Sequence, residues 1–256
     1  MTVIVVSAAP SATVMLVRDR PAFEVLMVQR HHEIDFASGA LVFPGGKGEG
    51  GEGGPAGEPH CFGWDEVPPD ERALRVCAIR EAFEESGILI ARHAGDAAWE
   101  IGTRAALERE ALARGELSFL GLVAGLAVKL DLGAMALFAH WITPASMRKR
   151  FDTRFFLMTA PEDQIAACDG CETVDAEWVT PDEALRLRES GERIILFPTR
   201  LNLELLARSA SVADAFASLK ARPVVTIEPL VEQIEGGMLL TIPPDAGYGV
   251  VEPQRL

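Results

Sequence analysis

Positive charge is scarce in this chain. Twenty-four Lys and Arg face 38 Asp and Glu across 256 residues, a formal charge of −14. Such a surface repels polyanions, which argues against nucleic acid polymers and anionic membranes as partners. A small phosphorylated substrate stays compatible with it, because a divalent cation reverses the local field. Cysteine is sparse too, at four residues. Cys168 and Cys171 form a CxxC pair, but zinc would need a second pair, and Cys61 and Cys77 stand 16 apart without a good histidine partner. Free thiols in a reducing cytoplasm are the expectation. Long apolar runs are missing as well. No stretch of 18 apolar residues lacks a breaker or a charge, so no membrane span is expected. The apolar start, Met1 to Pro10, has no basic n-region and reads as a lead-in to a strand rather than a signal peptide.

What the chain does have is core material: 48% of its residues are hydrophobic, which argues against disorder. Residues 12–18 and 23–30 read as two strands, joined as a hairpin through Asp19-Arg20-Pro21-Ala22. Ala40 to Phe43 is a short strand, stopped by Pro44-Gly45-Gly46. Residues 47–71 are rich in Gly, Pro and acids and lack apolar periodicity, so they are expected to form a loop. A helix is predicted over about 70–86, with Asp70 as N-cap and Gly87 as the C-terminal glycine. Ile88 to Ala91 returns to a strand. Helices are expected at 96–114 and 118–130, forming an all-helical insert. Strands follow at 134–142, 154–159 and 172–179. Thr180-Pro181-Asp182-Glu183 is a helix start, with Thr180 as N-cap and Glu183 completing a capping box. Helices are placed at 199–208 and 211–221, and a hairpin between Val224–Ile227 and Met238–Ile242.

The chemistry concentrates in the first long helix. Glu81, Glu84 and Glu85 stand at i, i+3 and i+4, within one arc of roughly 100°. Val76, Ile79 and Phe83 form an apolar stripe on the far side, which would face the core. Like charges at these spacings destabilise a helix by about 0.2–0.5 kcal/mol per pair. Water and Arg80 offset that in part; a hard divalent cation does so better. Taken alone, the glutamates fit a solvated acidic face equally well. A strand ending in Phe43-Pro44-Gly45-Gly46 shifts the balance, because its glycines let backbone approach a ligand closely.

Phe43-Pro-Gly-Gly46 and Arg80-Glu-Ala-Phe-Glu-Glu-Ser-Gly-Ile88 resemble the two halves of a Nudix box, GX5EX7REUXEEXGU. Gly46 and Glu52 satisfy the first part. The second is complete except for a small Ala82 at its first apolar position. Between Glu52 and Arg80 lie 27 residues where the family has seven. The wider pattern resembles the coenzyme A diphosphatase branch, through Phe36 to Phe43, the long insertion in the box and Arg150-Phe-Asp-Thr-Arg-Phe-Phe156. The branch signature expects a basic residue where this chain has Asp35, and an arginine at Gln29, one place before Arg30.

The resemblance implies an α/β fold, a Nudix-type α/β/α sandwich with a mixed sheet. Over it the chain reads as one domain, 1–256, with a loop insertion at 53–71, a helical insert at 92–132 and a C-terminal extension at 210–256. It implies cleavage of the diphosphate linkage of a nucleoside-diphosphate derivative. Mg²⁺ or Mn²⁺ would sit on Glu81, Glu84 and Glu85, with the Gly46 carbonyl as a further ligand and Arg80 holding the carboxylates in place. Glu84 and Arg80 are thus catalytic candidates, and Glu172, six residues before Trp178, is the candidate general base. Arg30, Arg150 and Arg154 are candidate substrate contacts; Arg148-Lys149-Arg150 and Arg154 fit a charged turn between strands as well. His140, alone in an apolar strand, reads as a satisfied structural residue, and Trp141 and Phe155 as core. Coenzyme A or acyl-coenzyme A leads as substrate, with ADP-ribose or a nucleotide sugar next. A Nudix-fold sensor that binds such a ligand without turnover is the reading from another class. The insert would shape a substrate pocket or a homodimer interface.

Overall fold

The computed structural model describes residues 7–33, 37–48, 53–93, 102–162, 164–170, 172–249, 251 and 254–255. Glu52, Asp35, Phe36, Cys171 and residues 94–101 therefore lie outside the described residues.

β1 (Ala9–Asp19) and β2 (Phe23–Arg30) form the expected hairpin. β3 (Leu41–Val42) pairs with β2, and β4 (Gly45–Lys47) pairs with β1. Next come β5 (Cys61–Phe62), α1 (Pro69–Ser86), β6 (Ala91–His93), α2 (Gly102–Ala113), α3 (Phe119–Gly125) and β7 (Val128–Asp131). β8 (Ala136–Ile142), β9 (Phe151–Thr159) and β10 (Thr173–Val179) also join the main sheet. α4 (Pro181–Glu189), α5 (Phe197–Leu206) and α6 (Val212–Ala221) precede β11 (Thr226–Ile227), β12 (Leu230–Ile234), β13 (Gly237–Thr241) and β14 (Gln254–Arg255). The main sheet has eight strands, with the path β10–β2–β1–β9–β8–β11. It is mixed: β1–β9 and β8–β11 are parallel, whereas β1–β2, β2–β10 and β8–β9 are antiparallel.

The unbroken apolar run in β1 follows from burial on both faces. Val14 and Leu16 pack with α1 and α3; Met15 and Val17 pack with α4, α5 and α6. Alternate side chains thus feed two cores, and helices cover both faces, as a three-layer sandwich requires. No helix among the described residues is long and apolar enough to cross a membrane.

Several elements differ from the sequence expectation. The stretch 47–71 is not a bare loop: a 3₁₀ turn at Glu58–His60 leads into β5, and Trp64 and Val67 are buried. Residues 118–130 are not one helix. α3 ends at Gly125, and the chain continues as β7, the centre of a small sheet ordered β5–β7–β6. The insert therefore contains strands, and it shares that sheet with the chain inside the split box. Residues 88–90 are buried but irregular, and the strand begins at Ala91. Pro68, not Asp70, caps α1, because Pro69 fits a first turn that needs no N–H; Asp70 and Glu71 fall in that turn, at the positive end of the helix. In the tail, the hairpin joins β12 to β13 around Gly236, while Thr226–Ile227 goes to the edge of the main sheet beside β8.

Candidate active site

The alternative of a solvated acidic face on α1 does not hold for two of its three glutamates: Glu81 is 9% exposed and Glu85 1%, while Glu84 is partly exposed. Gly87, at φ 73°, ends the helix as expected, its N–H donating to the Phe83 carbonyl. The cover over the acidic side is β4. The Gly45 N–H donates to Glu85 Oε2 at 2.9 Å, and Arg30 reaches Glu85 Oε1 at 3.4 Å. Both glycines are needed for close approach. A Cβ on Gly45 would lie 2.5 Å from the Ala12 carbonyl oxygen of β1, and one on Gly46 would run into the Glu81 carboxylate. Arg80 lies in the same layer. Its guanidinium contacts Glu81 Oε1 at 2.9 Å and Glu84 Oε2 at 2.8 Å, and donates to the Lys47 carbonyl at 3.0 Å. Arg80 thereby ties two of the glutamates to the glycine turn.

Burial in this layer opposes ionisation. Burial pushes Glu81 up to about 7, with Arg80 pulling the other way and Glu84 and Glu172 adding repulsion. Burial pushes Glu85 up to about 8; Glu81 adds repulsion, and the Gly45 N–H and Arg30 offset part of it. Among the described residues, no three His, Cys, Asp or Glu side chains gather around one point. Each carboxylate is instead satisfied within the chain, by Arg80, Arg30 or the Gly45 N–H. The donor set still fits a hard divalent cation: it is all oxygen, sets three carboxyl groups against two arginines, and meets a backbone trimmed of side chains at Gly46.

Glu172 comes to the same place. It is exposed just before β10, held by Asp169, whose carboxylate accepts the Glu172 and Thr173 N–H groups at 3.0 and 2.8 Å. Its carbonyl accepts the His31 N–H at the end of β2. Arg30, Gly45, Gly46, Glu81 and Glu172 all line one cavity of about 1130 Å³. The other candidate arginines are not among its lining residues. Arg150 donates to the Thr143 carbonyl and pairs with Glu228; Arg154 pairs with Asp152 and Asp70. Their neighbours Arg148 and Lys149 do line the cavity. His140 is held by Asp152 and Thr226, the structural arrangement expected of it. Trp141 and Phe155 are buried in the core and also form part of the cavity wall.

Residues 60–205 match the family model for the NUDT19 Nudix domain. The chain belongs to the Nudix family. It is accordingly a Nudix-type pyrophosphohydrolase. The human protein named acyl-coenzyme A diphosphatase NUDT19 is 28% identical over 271 residues, covering 88% of this chain and 72% of that protein. The protein of the same name from Xenopus laevis is 25% identical, over 88% and 71%. A solved Nudix hydrolase from Alicyclobacillus acidocaldarius is 27% identical, with a TM-score of 0.70, covering 85% of this chain and 99% of that one.

The Nudix box is thus split in sequence and joined in space. The matched region begins after Gly46, yet the Gly45–Glu85 and Lys47–Arg80 hydrogen bonds bring the Phe43–Gly46 turn onto the second half of the box. Two residues that sequence reasoning missed brace the end of that helix. Arg109 of α2 donates to the Glu84 carbonyl from Nε and Nη2, at 3.0 and 2.7 Å, and Thr173 Oγ1 donates to the Glu85 carbonyl at 3.0 Å. Both satisfy last-turn carbonyls that the helix itself leaves open, and Arg109 adds a cation at the negative end. A cation 25 residues downstream, in a different helix, carries no local signal.

Proposed function

We propose that the chain is a Mg²⁺- or Mn²⁺-dependent diphosphatase of coenzyme A or acyl-coenzyme A. One observation carries the reading: Glu81 and Glu85 are buried side by side under the Gly45–Gly46 turn, and Glu81 opens onto the same large cavity as Glu172 and Arg30. Burying two carboxylates together is costly unless a counter-charge joins them. In this reading Glu81, Glu84 and Glu85, with the Gly46 carbonyl, hold the divalent cation. When bound, the cation neutralises the diphosphate and acidifies the attacking water. Arg80 orients Glu81 and Glu84, since its planar fork spans both. Glu172, exposed to the cavity, takes the proton of the water as general base. Arg30 contributes positive charge at the same end, and Arg148 and Lys149 sit on the cavity wall, where substrate phosphate would be favoured. Arg150 and Arg154 stand behind this wall, paired with Glu228 and with Asp152 and Asp70. The substrate assignment rests on the names of the human and frog relatives and on the size of the cavity.

Incubation with Mg²⁺ or Mn²⁺ and, separately, coenzyme A, acyl-coenzyme A, ADP-ribose and NADH tests it, with products identified by mass. The expected products of the coenzyme A substrates are the two halves of a cleaved diphosphate, formed only with metal. Cleavage of ADP-ribose with the coenzyme A forms untouched would reassign the substrate. Metal-independent thermal stabilisation by coenzyme A without any product would point to a sensor.

A further inference from the structure

The substrate cavity has two chemistries. Among the described residues its lining acids are Glu81 and Glu172, at the acidic layer described above. Glu172 directly precedes β10, one edge of the main sheet; Pro229 follows β11, the other edge. Five inter-strand steps of about 4.8 Å separate those edges, roughly 24 Å. Apolar side chains from Ile142, Met147, Phe197, Pro229 and Leu240 line the same cavity, with Arg148 and Lys149 following Met147 on its rim.

Much of that wall is built or braced by the chain after α6. Pro229 and Leu240 come from it directly. Glu228 pairs with Arg150 at 2.9 Å, and Arg150 also donates to the Thr143 carbonyl, which fixes the turn carrying Met147. Trp141 donates to the Tyr248 hydroxyl at 3.2 Å, and Tyr248 donates on to Asn202. Nothing in the chemistry of the metal site calls for this apolar wall. Its continuity with the site calls for a substrate that is anionic at one end and apolar at the other.

We infer that the segment after α6 builds an apolar chamber for the acyl chain of the diphosphate substrate, with Leu240, Pro229 and Met147 setting the chain length accepted. The inference rests on the same cavity holding the diphosphate. Each methylene buried there is worth about fourfold in affinity.

The test is a binding titration of the full chain in chelator, so that no turnover occurs, with acetyl-, butanoyl- and octanoyl-coenzyme A. The octanoyl form is expected to bind at least tenfold more tightly than the acetyl form. Leu240→Trp, which fills the chamber, and Met147→Asp, which charges it, should each bring that ratio close to one. Met147 is half-buried, so its variant keeps the test open if the buried Leu240 substitution fails to fold. Equal affinity for all three chains in the wild type would overturn the inference, as would a length dependence that survives both substitutions. Hydrolysis with Mg²⁺, measured in parallel, keeps the two claims apart. Length-dependent binding without hydrolysis counts against the diphosphatase assignment and supports the chamber; hydrolysis indifferent to chain length and to both substitutions does the reverse.

Discussion

A Glu85→Gln enzyme, assayed at saturating Mg²⁺ on its best diphosphate substrate, is expected to turn over about 10³-fold more slowly than the wild type. The size follows from losing several kcal/mol of charge stabilisation at the cation, at about 1.4 kcal/mol per factor of ten. The substitution is close to isosteric. Its amide oxygen can still accept the Gly45 N–H that Glu85 accepts at 2.9 Å, so the turn should keep its place. What disappears is the negative charge. A folded Glu85→Gln variant with wild-type turnover would remove Glu85 from the metal site. Under the same conditions Glu172→Gln should lose about 10²-fold, the lower range for a general base.

Chelated wild-type protein should lose on the order of 6 kcal/mol of stability as the pH rises from about 5 to 8. Glu81 and Glu85 ordinarily titrate near 4.5 and are raised to about 7 and about 8 in the folded chain. Between those values the native state keeps protons that the unfolded chain has shed. Their contribution is therefore complete below about 4.5 and drains away as the pH climbs through 7 and 8. Urea unfolding in chelator, at pH 5, 6.5 and 8, reads this directly. The Glu81→Gln/Glu85→Gln double variant should show a flatter profile, and the difference between the two isolates the pair from the other titrating groups. Saturating divalent cation should restore the wild type at pH 8. Parallel profiles for wild type and double variant would show that the pair does not carry the effect.

That buried pair marks the limit of what the sequence made legible. The i, i+3, i+4 spacing placed three carboxylates on one arc of α1, and Gly87 marked its end correctly. Spacing alone cannot report burial, because the cover is β4, more than 30 residues away. The apolar stripe at Val76, Ile79 and Phe83 is real, but the helix is buried nearly all round, so the opposite face is no solvated surface. β1 and β2 were legible because they are apolar on both faces and their hairpin turn is local, whereas β4 and the place of β11 in the same sheet were not. β7 was not: Val128–Asp131 continues an apolar helical segment, and it becomes a strand only by pairing with Cys61–Phe62 and Ala91–His93. Trp64 and Val67 are likewise isolated apolar residues in a Gly/Pro-rich stretch, with no period to announce their burial. Arg150, before β9, and Arg154, within it, are engaged by carboxylates at Glu228 and Asp152, and only the fold brings Glu228 there.

The central claim is that Glu81, Glu84 and Glu85 form a divalent-cation site under the Gly45–Gly46 turn. Calorimetric titration of Mn²⁺ into the substrate-free wild type and the Glu85→Gln variant, at pH 8, tests it most directly. Binding to the wild type, weakened at least tenfold in a variant that remains folded, is the predicted result. Equal Mn²⁺ affinity in the two proteins would contradict it.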